Sequence, residues 1–271
     1  MKPCFSLLAA VATLSLSAPV WAADPFEGYE NVVQAEILPG WQTPEGGQMV
    51  GLRLVLAPGW KTYWRAPGDS GIPPSFDWSG SENLSGVTVH WPRPEVYFLN
   101  DMRTIGYKHE VVLPLELVAV APGQPIVLNG QVDLGVCLDI CMPMEISLSA
   151  ILPAEAQPEP IRAALAAQPD SAATSGVGQV QCLSEPIADG VRLTATIEVA
   201  PMIGREVAVI ETANPEIWVA EAEVHRSGNI LTAVADMVPM DGAPFTVDPE
   251  TVEITLLSGP QAISILGCQG S

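Results

Sequence analysis

Basic side chains are scarce in this chain. Eleven Lys and Arg stand against 31 Asp and Glu, for a formal net charge of −20 over 271 residues. Nucleic-acid binding draws on Lys and Arg to neutralise phosphates, so that class of partner is excluded. The acidic residues form no long run, and their charge reads as a solubility feature of the surface. Histidine is scarcer still, with three residues, which argues against a catalytic zinc site. Ser, His and Asp stand in no recognisable nucleophile motif, so hydrolysis lacks support. Beyond the first twenty-two residues no stretch approaches the roughly 18 apolar residues of a membrane helix. The protein is not expected to span a bilayer itself.

What is present begins with an export signature. Lys2, an apolar run from Phe5 to Val20 and the small residue Ala22 ahead of Ala23-Asp24 read as a secretory signal peptide over residues 1–22. The run is short for an anchor, and Cys4 precedes it, where no lipid-attachment site is expected. The mature chain is expected to start near Ala23 with four cysteines, in a compartment where disulfides persist.

Twenty-six Pro and 23 Gly punctuate short runs of Val, Ile, Leu and Thr, the pattern of an all-β sandwich. Strands are expected near 31–38, 48–56, 87–91, 110–120, 126–134 and 144–152. In VLNGQVDLGVC, Val127, Asn129 and Gln131 fall on one side and Leu128, Gly130 and Val132 on the other, the period of a half-buried strand. The Ala-, Pro-, Ser- and Gly-rich stretch 154–178 reads as a linker holding one short helix, about Pro160 to Gln168. A second β-rich region over 179–271 follows, with strands near 191–199, 206–212, 217–224, 230–236, 252–257 and 262–266. The domain reading is therefore a first β-sandwich over 23–153, a linker, and a second sandwich.

The cysteines divide into two pairs with different arithmetic. Cys137 and Cys141, in GVCLDICMP, flank what reads as a hairpin tip. Closing so small a ring contributes roughly 2 kcal/mol on loop entropy, whereas an 87-residue ring contributes roughly 4.6 kcal/mol. The pair is poorly placed for a staple and well placed for a bond that opens and closes. Cys182 and Cys268 bracket the second β-region and suit a structural disulfide, with free thiols or an intermolecular bond as the alternatives. Asp139 between the first pair is either a local base that tunes the thiols or a turn residue. His109, beside a strand, reads as a polar surface residue, with a place near the thiols as the alternative.

Three segments, GWKTYWRAPGDSGIPPSFDW at 59–78, TIGYKHEVVLPLEL at 104–117 and GVCLDICMP at 135–143, resemble the periplasmic amino-terminal part of DsbD-type thiol:disulfide interchange proteins, most closely the ScsB-like branch. The resemblance implies two immunoglobulin-like sandwiches and a periplasmic location. It also implies a redox-active Cys137/Cys141 pair that takes electrons from a membrane DsbD/CcdA-like transporter and passes them to thioredoxin-like proteins, with no cofactor. By the same resemblance Cys141 is the attacking sulfur and Cys137 the resolving one. Tyr63 lines the site, and a cap segment near Glu95 to Arg103 shields it through Tyr97 or Phe98; aromatic residues of sandwiches also serve as core. Two departures stand out. Three residues separate the cysteines where the best-known members have five, and the sequence stops at Ser271 without the family's membrane helices or terminal thioredoxin domain, so electrons are expected from a separate protein.

Two other classes compete. Cys137, Cys141, Met142 and Met144 form C-x-x-x-C-M-x-M, and thiolate with thioether favours Cu(I), which gives a copper-binding or copper-tolerance reading. On an extended strand Met142 and Met144 share one face and suit a core as well. A structural adhesion or chaperone-like module is the third reading.

Overall fold

Alternating apolar side chains build the first pair of sheets. The strands are β1 (Val33–Gln42), β2 (Gln48–Leu56), β3 (Lys61–Tyr63), β4 (Ser75–Asp77), β5 (Leu84–Val89), β6 (Glu95–Leu99), β7 (Met102–Lys108), β8 (Glu110–Ala119), β9 (Ile126–Cys137) and β10 (Cys141–Leu152). One sheet has the order β1-β2-β8-β5, the other β10-β9-β3-β7-β6 with β4 along β9. Val50, Leu52 and Leu54 of β2 and Leu113, Leu115 and Leu117 of β8 meet Ile105, Leu128, Val132, Leu134 and Val136 in one core around the fully buried Trp64. Each large apolar side chain removed from water contributes about 1.5–3 kcal/mol. In β9 the even-numbered residues 126, 128, 132, 134 and 136 are the core residues, as the period-two pattern requires. The odd-numbered residues are left for the outer face.

The computed structural model describes residues 31–68, 70–99, 102–153 and 156–270. The expected signal peptide and the start near Ala23 lie outside the described residues, as do Asn100 and Asp101 of the expected cap.

The segment expected as a linker holds the helix α1 (Pro158–Ala166), two residues earlier than its sequence suggests. Ile161 is fully buried against Leu38, Met49 and Val112 on the outer face of the first sandwich. Glycines make the hollow it fills. A Cβ at Gly51 would lie 2.9 Å from Val112 Cγ1 and 3.0 Å from Ile161 Cγ1, and one at Gly40 would lie 2.9 Å from Ile161 Cδ1.

The second sandwich comprises β11 (Asp170–Ser171), β12 (Val180–Pro186), β13 (Val191–Glu198), β14 (Val207–Glu211), β15 (Ile217–Val219), β16 (Glu223–Ser227), β17 (Ile230–Pro239), β18 (Glu253–Ser258), β19 (Gln261–Leu266) and β20 (Gln269–Gly270). Its sheets run β11-β19-β18-β14 and β15-β17-β13-β12-β20, with β16 also on β17. A Cys182–Cys268 disulfide, Cα atoms 5.7 Å apart, ties β12 to the turn after β19, within the spacing a disulfide accepts. The fold is all-β and immunoglobulin-like, with two sandwiches.

The two sandwiches share apolar contacts: Val207, Val209, Leu257 and Ala262 of the second join the core cluster of the first. Arg65, just past β3, bonds Glu211 at 2.9 Å and Glu253 at 2.5 Å. Burial pushes the Glu211 carboxyl above its ordinary value, against the opposing pull of Arg65. Arg103 of β7 reaches Glu221 at 3.2 Å. That contact accompanies a difference from the sequence reading, which took 217–224 as one strand. The chain breaks into β15 and β16 there, with Ala220 N still donating to Asp236 O at 2.8 Å while Glu221 turns out towards Arg103.

Candidate redox site

The β9–β10 hairpin sets the site. Its strands pair through twelve consecutive positions without a register shift, from Leu152 opposite Ile126 to Cys141 opposite Cys137. The cysteines are therefore the last cross-strand pair before the turn Leu138-Asp139-Ile140. Directly opposed residues project from the same face of a sheet, and here they are disulfide-bonded with Cα atoms 4.1 Å apart. The two ends of the bond differ. Cys137 is 6% exposed, whereas Cys141 is exposed. An incoming thiolate thus meets Cys141 first, and Cys137 is the sulfur left behind. Leu138 and Ile140 stand exposed on either side of Asp139, an apolar rim around a polar turn.

The neighbouring strands bring further side chains to this outer face. In register, Cys137 opposes Lys61 of β3, and Lys61 opposes Lys108 of β7. Two residues on from Lys61, buried Tyr63 places its hydroxyl 3.0 Å from Cys141 Sγ. A disulfide sulfur carries no proton, so the hydroxyl donates. Burial raises the Tyr63 pKa, which keeps that donor proton in place. The ring lies over Gly135, where a Cβ would come within 2.8 Å of Tyr63 Cδ2 and 2.7 Å of Ile72 Cβ. A side chain at 135 would push the ring off the sulfur.

Of the two aromatic residues in the expected cap, only Tyr97 shares the disulfide's face. Its partner in register is Thr104, which has the same parity as Lys108. Its ring lies 4.0 Å from Lys108 Nζ and 5.7 Å from Lys61 Nζ, within cation–π range. Burial, then the charge of Glu95, raises the Tyr97 pKa. Phe98 points the other way, as neighbours on a strand do. Its ring meets Arg205 of the second sandwich, with the guanidinium carbon 3.9 Å from the ring centre.

Other candidates stand apart from the pair. Met142 opposes Val136 and is 2% exposed in the core, and Met144 opposes Leu134 and packs against the same core. Both thioethers thus lie on the face opposite the cysteines, and the four sulfurs are not gathered. Among the described residues no group of three or more His, Cys, Asp and Glu is arranged to hold a metal ion. Asp139 is exposed in the turn. His109 takes a positive φ of 63° in the turn from β7 to β8, where its carbonyl accepts from Leu56 N at 2.7 Å. The sequence reading overlooked Lys61 and Lys108. Lys61 was open to it: in GWKTYW it stands two residues before Tyr63, on the same face of any strand through that segment.

A cross-strand disulfide at an open hairpin tip, one sulfur outward and one inward, with a tyrosine hydroxyl on the outward sulfur, is the arrangement of a β-sandwich module for thiol-disulfide exchange. Residues 34–153, the first sandwich, match the family described as thiol:disulfide interchange protein DsbD, N-terminal. The N-terminal periplasmic domain of ScsB from Proteus mirabilis is similar in fold, with a TM-score of 0.65 at 23% identity, covering 93% of this chain and 98% of that one. The N-terminal domain of DsbD from Neisseria meningitidis, in its reduced form, gives a TM-score of 0.28 at 17% identity over 43% of this chain and 82% of that one. No curated protein matches the chain.

Proposed function

We propose that the protein is a periplasmic thiol:disulfide interchange protein, an oxidoreductase of the protein-disulfide reductase type. In this reading it passes reducing equivalents from a membrane DsbD/CcdA-like transporter to thioredoxin-like partners through Cys137 and Cys141. The observation that carries the reading is the asymmetric exposure of a cross-strand pair inside the family segment. In the reduced protein, Cys141 thiolate attacks a partner disulfide, forms a mixed disulfide and releases one partner thiolate. Cys137 thiolate then attacks Cys141 Sγ, the intramolecular disulfide forms, and the second partner sulfur leaves with the electron pair. Two electrons and no cofactor are involved. Tyr63 steadies the Cys141 sulfur, and Tyr97 lies on the same face of the sheet beside Lys108 and Lys61. Export and periplasmic residence are supported by the leader-like sequence of residues 1–22 and by the periplasmic origin of the ScsB domain.

The copper reading needs Met142 and Met144 as ligands, and that requirement provides the test. Replacing both by Leu keeps apolar volume and removes both thioethers, at a stability cost expected below about 1.5 kcal/mol for each swap. Exchange with a disulfide-bonded thioredoxin-like substrate is expected within about twofold of the parent. A folded double variant that has lost exchange contradicts the proposal.

A further inference from the structure

Opening the disulfide poses an electrostatic problem on the inward side. When an incoming thiolate bonds to Cys141 Sγ, the Cys137–Cys141 bond breaks and Cys137 leaves with the electron pair, as a thiolate at a residue 6% exposed. An uncompensated charge at such a site is costly and calls for a partner. The Tyr63 hydroxyl serves the other sulfur. The side chain directly opposite Cys137 in the next strand is Lys61, and Cβ atoms of such pairs lie about 5 Å apart.

We infer that Lys61 is the counter-charge of the Cys137 thiolate, a positioning residue that favours this sulfur as the leaving group and holds it ready to resolve the mixed disulfide. Three observations support this beyond the register. The ammonium is half-buried and hydrogen-bonded to Thr104 Oγ1 at 3.1 Å, on the same face as the disulfide. The Tyr97 ring lies within cation–π range of both this ammonium, at 5.7 Å, and that of Lys108, at 4.0 Å. Burial, then the charge of Lys108, lowers the Lys61 pKa, as expected of a cation held where an anion has yet to form. The chain also has only 11 basic residues, and two of them stand in the cross-strand row of the disulfide. In the closed state the Lys61 ammonium rests on the neutral Thr104 hydroxyl of β7, on the side of β3 away from β9, and it turns across to the Cys137 thiolate when the bond opens.

The inference rests on the exchange reading. Other titratable and charged groups on this face are Asp133 of β9, Glu145 of β10, Asp77 of β4, Asp139 of the turn, Tyr63, Glu95 and Tyr97 of β6, and Lys108. All are retained in the variants compared, so differences report on position 61.

The experiment titrates the Cys137 thiol by thiolate ultraviolet absorbance in a Cys141→Ser background, where that thiol is free of coupling to its neighbour and the Cys182–Cys268 bond is kept. Lys61→Met is expected to raise the midpoint by about one pH unit, the lower end of the shift an opposite charge at ~4–6 Å produces, leaving about tenfold less thiolate at neutral pH. Lys61→Arg is expected to restore the profile. Lys61→Gln, which still donates to Thr104 Oγ1, is expected to behave as Met does. A Gln profile matching Lys, or Met and Lys profiles that superimpose in folded proteins, overturns the inference. Exchange of the protein with native cysteines against glutathione is measured alongside. If it fails, the exchange reading falls; if it proceeds while the profiles superimpose, only the role of Lys61 falls.

Discussion

Cys137→Ser is expected to accumulate covalent adducts through Cys141, and Cys141→Ser to give few. The asymmetry follows from the hairpin: Cys141 is exposed and Cys137 is 6% exposed. With its neighbour replaced, Cys141 still forms the mixed disulfide, and nothing nearby resolves it. Periplasmic extracts trapped with acid and resolved without reductant should show at least a tenfold excess of adduct for Cys137→Ser. A thioredoxin-like protein and a membrane electron carrier are the partners expected in the adducts. If both single variants are folded and exported and neither yields adducts, Cys137 and Cys141 are not an exchange pair.

Removal of the other disulfide is expected to affect stability more than chemistry. Cys182 and Cys268 lie 86 positions apart and join the ends of the second sandwich; closing a loop of this length contributes about 4.6 kcal/mol. Replacing both with Ser should lower the thermal midpoint by about 10 °C at the usual sensitivity of a chain this size. Replacing Cys137 and Cys141 should cost about half as much free energy or less. Because Val207, Val209, Leu257 and Ala262 belong to the core cluster of the first sandwich, loosening the second sandwich should be felt in the first. Below the transition, the Cys137/Cys141 exchange rate is expected to change by less than about threefold. Calorimetry of the two double variants checks the order, and equal losses would contradict the division into a staple and a working bond.

The hairpin was the most legible part of the sequence. Cysteines separated by three residues, followed by alternating apolar residues, fix the register of β9 on β10 and with it the cross-strand pair. The long strands were legible because eight to twelve residues give a period; β3 and β4, with three residues each, give none. The aromatic pair of β6 was half legible. Tyr97 and Phe98 are adjacent, so only one can face the disulfide, and which one depends on the pairing of β6 with β7. The helix was visible in composition, yet its attachment depends on the hollow that Gly40 and Gly51 leave for Ile161, a three-dimensional fit with no local signature. Lys61 becomes a site residue only when β3 is laid beside β9, across 76 residues of chain.

The central claim is that Cys137 and Cys141 form a reversible redox couple while Cys182 and Cys268 do not. Equilibrating the protein in a series of reduced and oxidised glutathione mixtures, trapping the thiols and mapping the labelled peptides tests this directly. The expected result is one two-electron transition in which Cys137 and Cys141 are labelled together, while the Cys182–Cys268 bond stays closed, as structural disulfides below about −300 mV do. A Cys137–Cys141 bond that stays closed across the series, or Cys182 and Cys268 labelled first, would contradict the account.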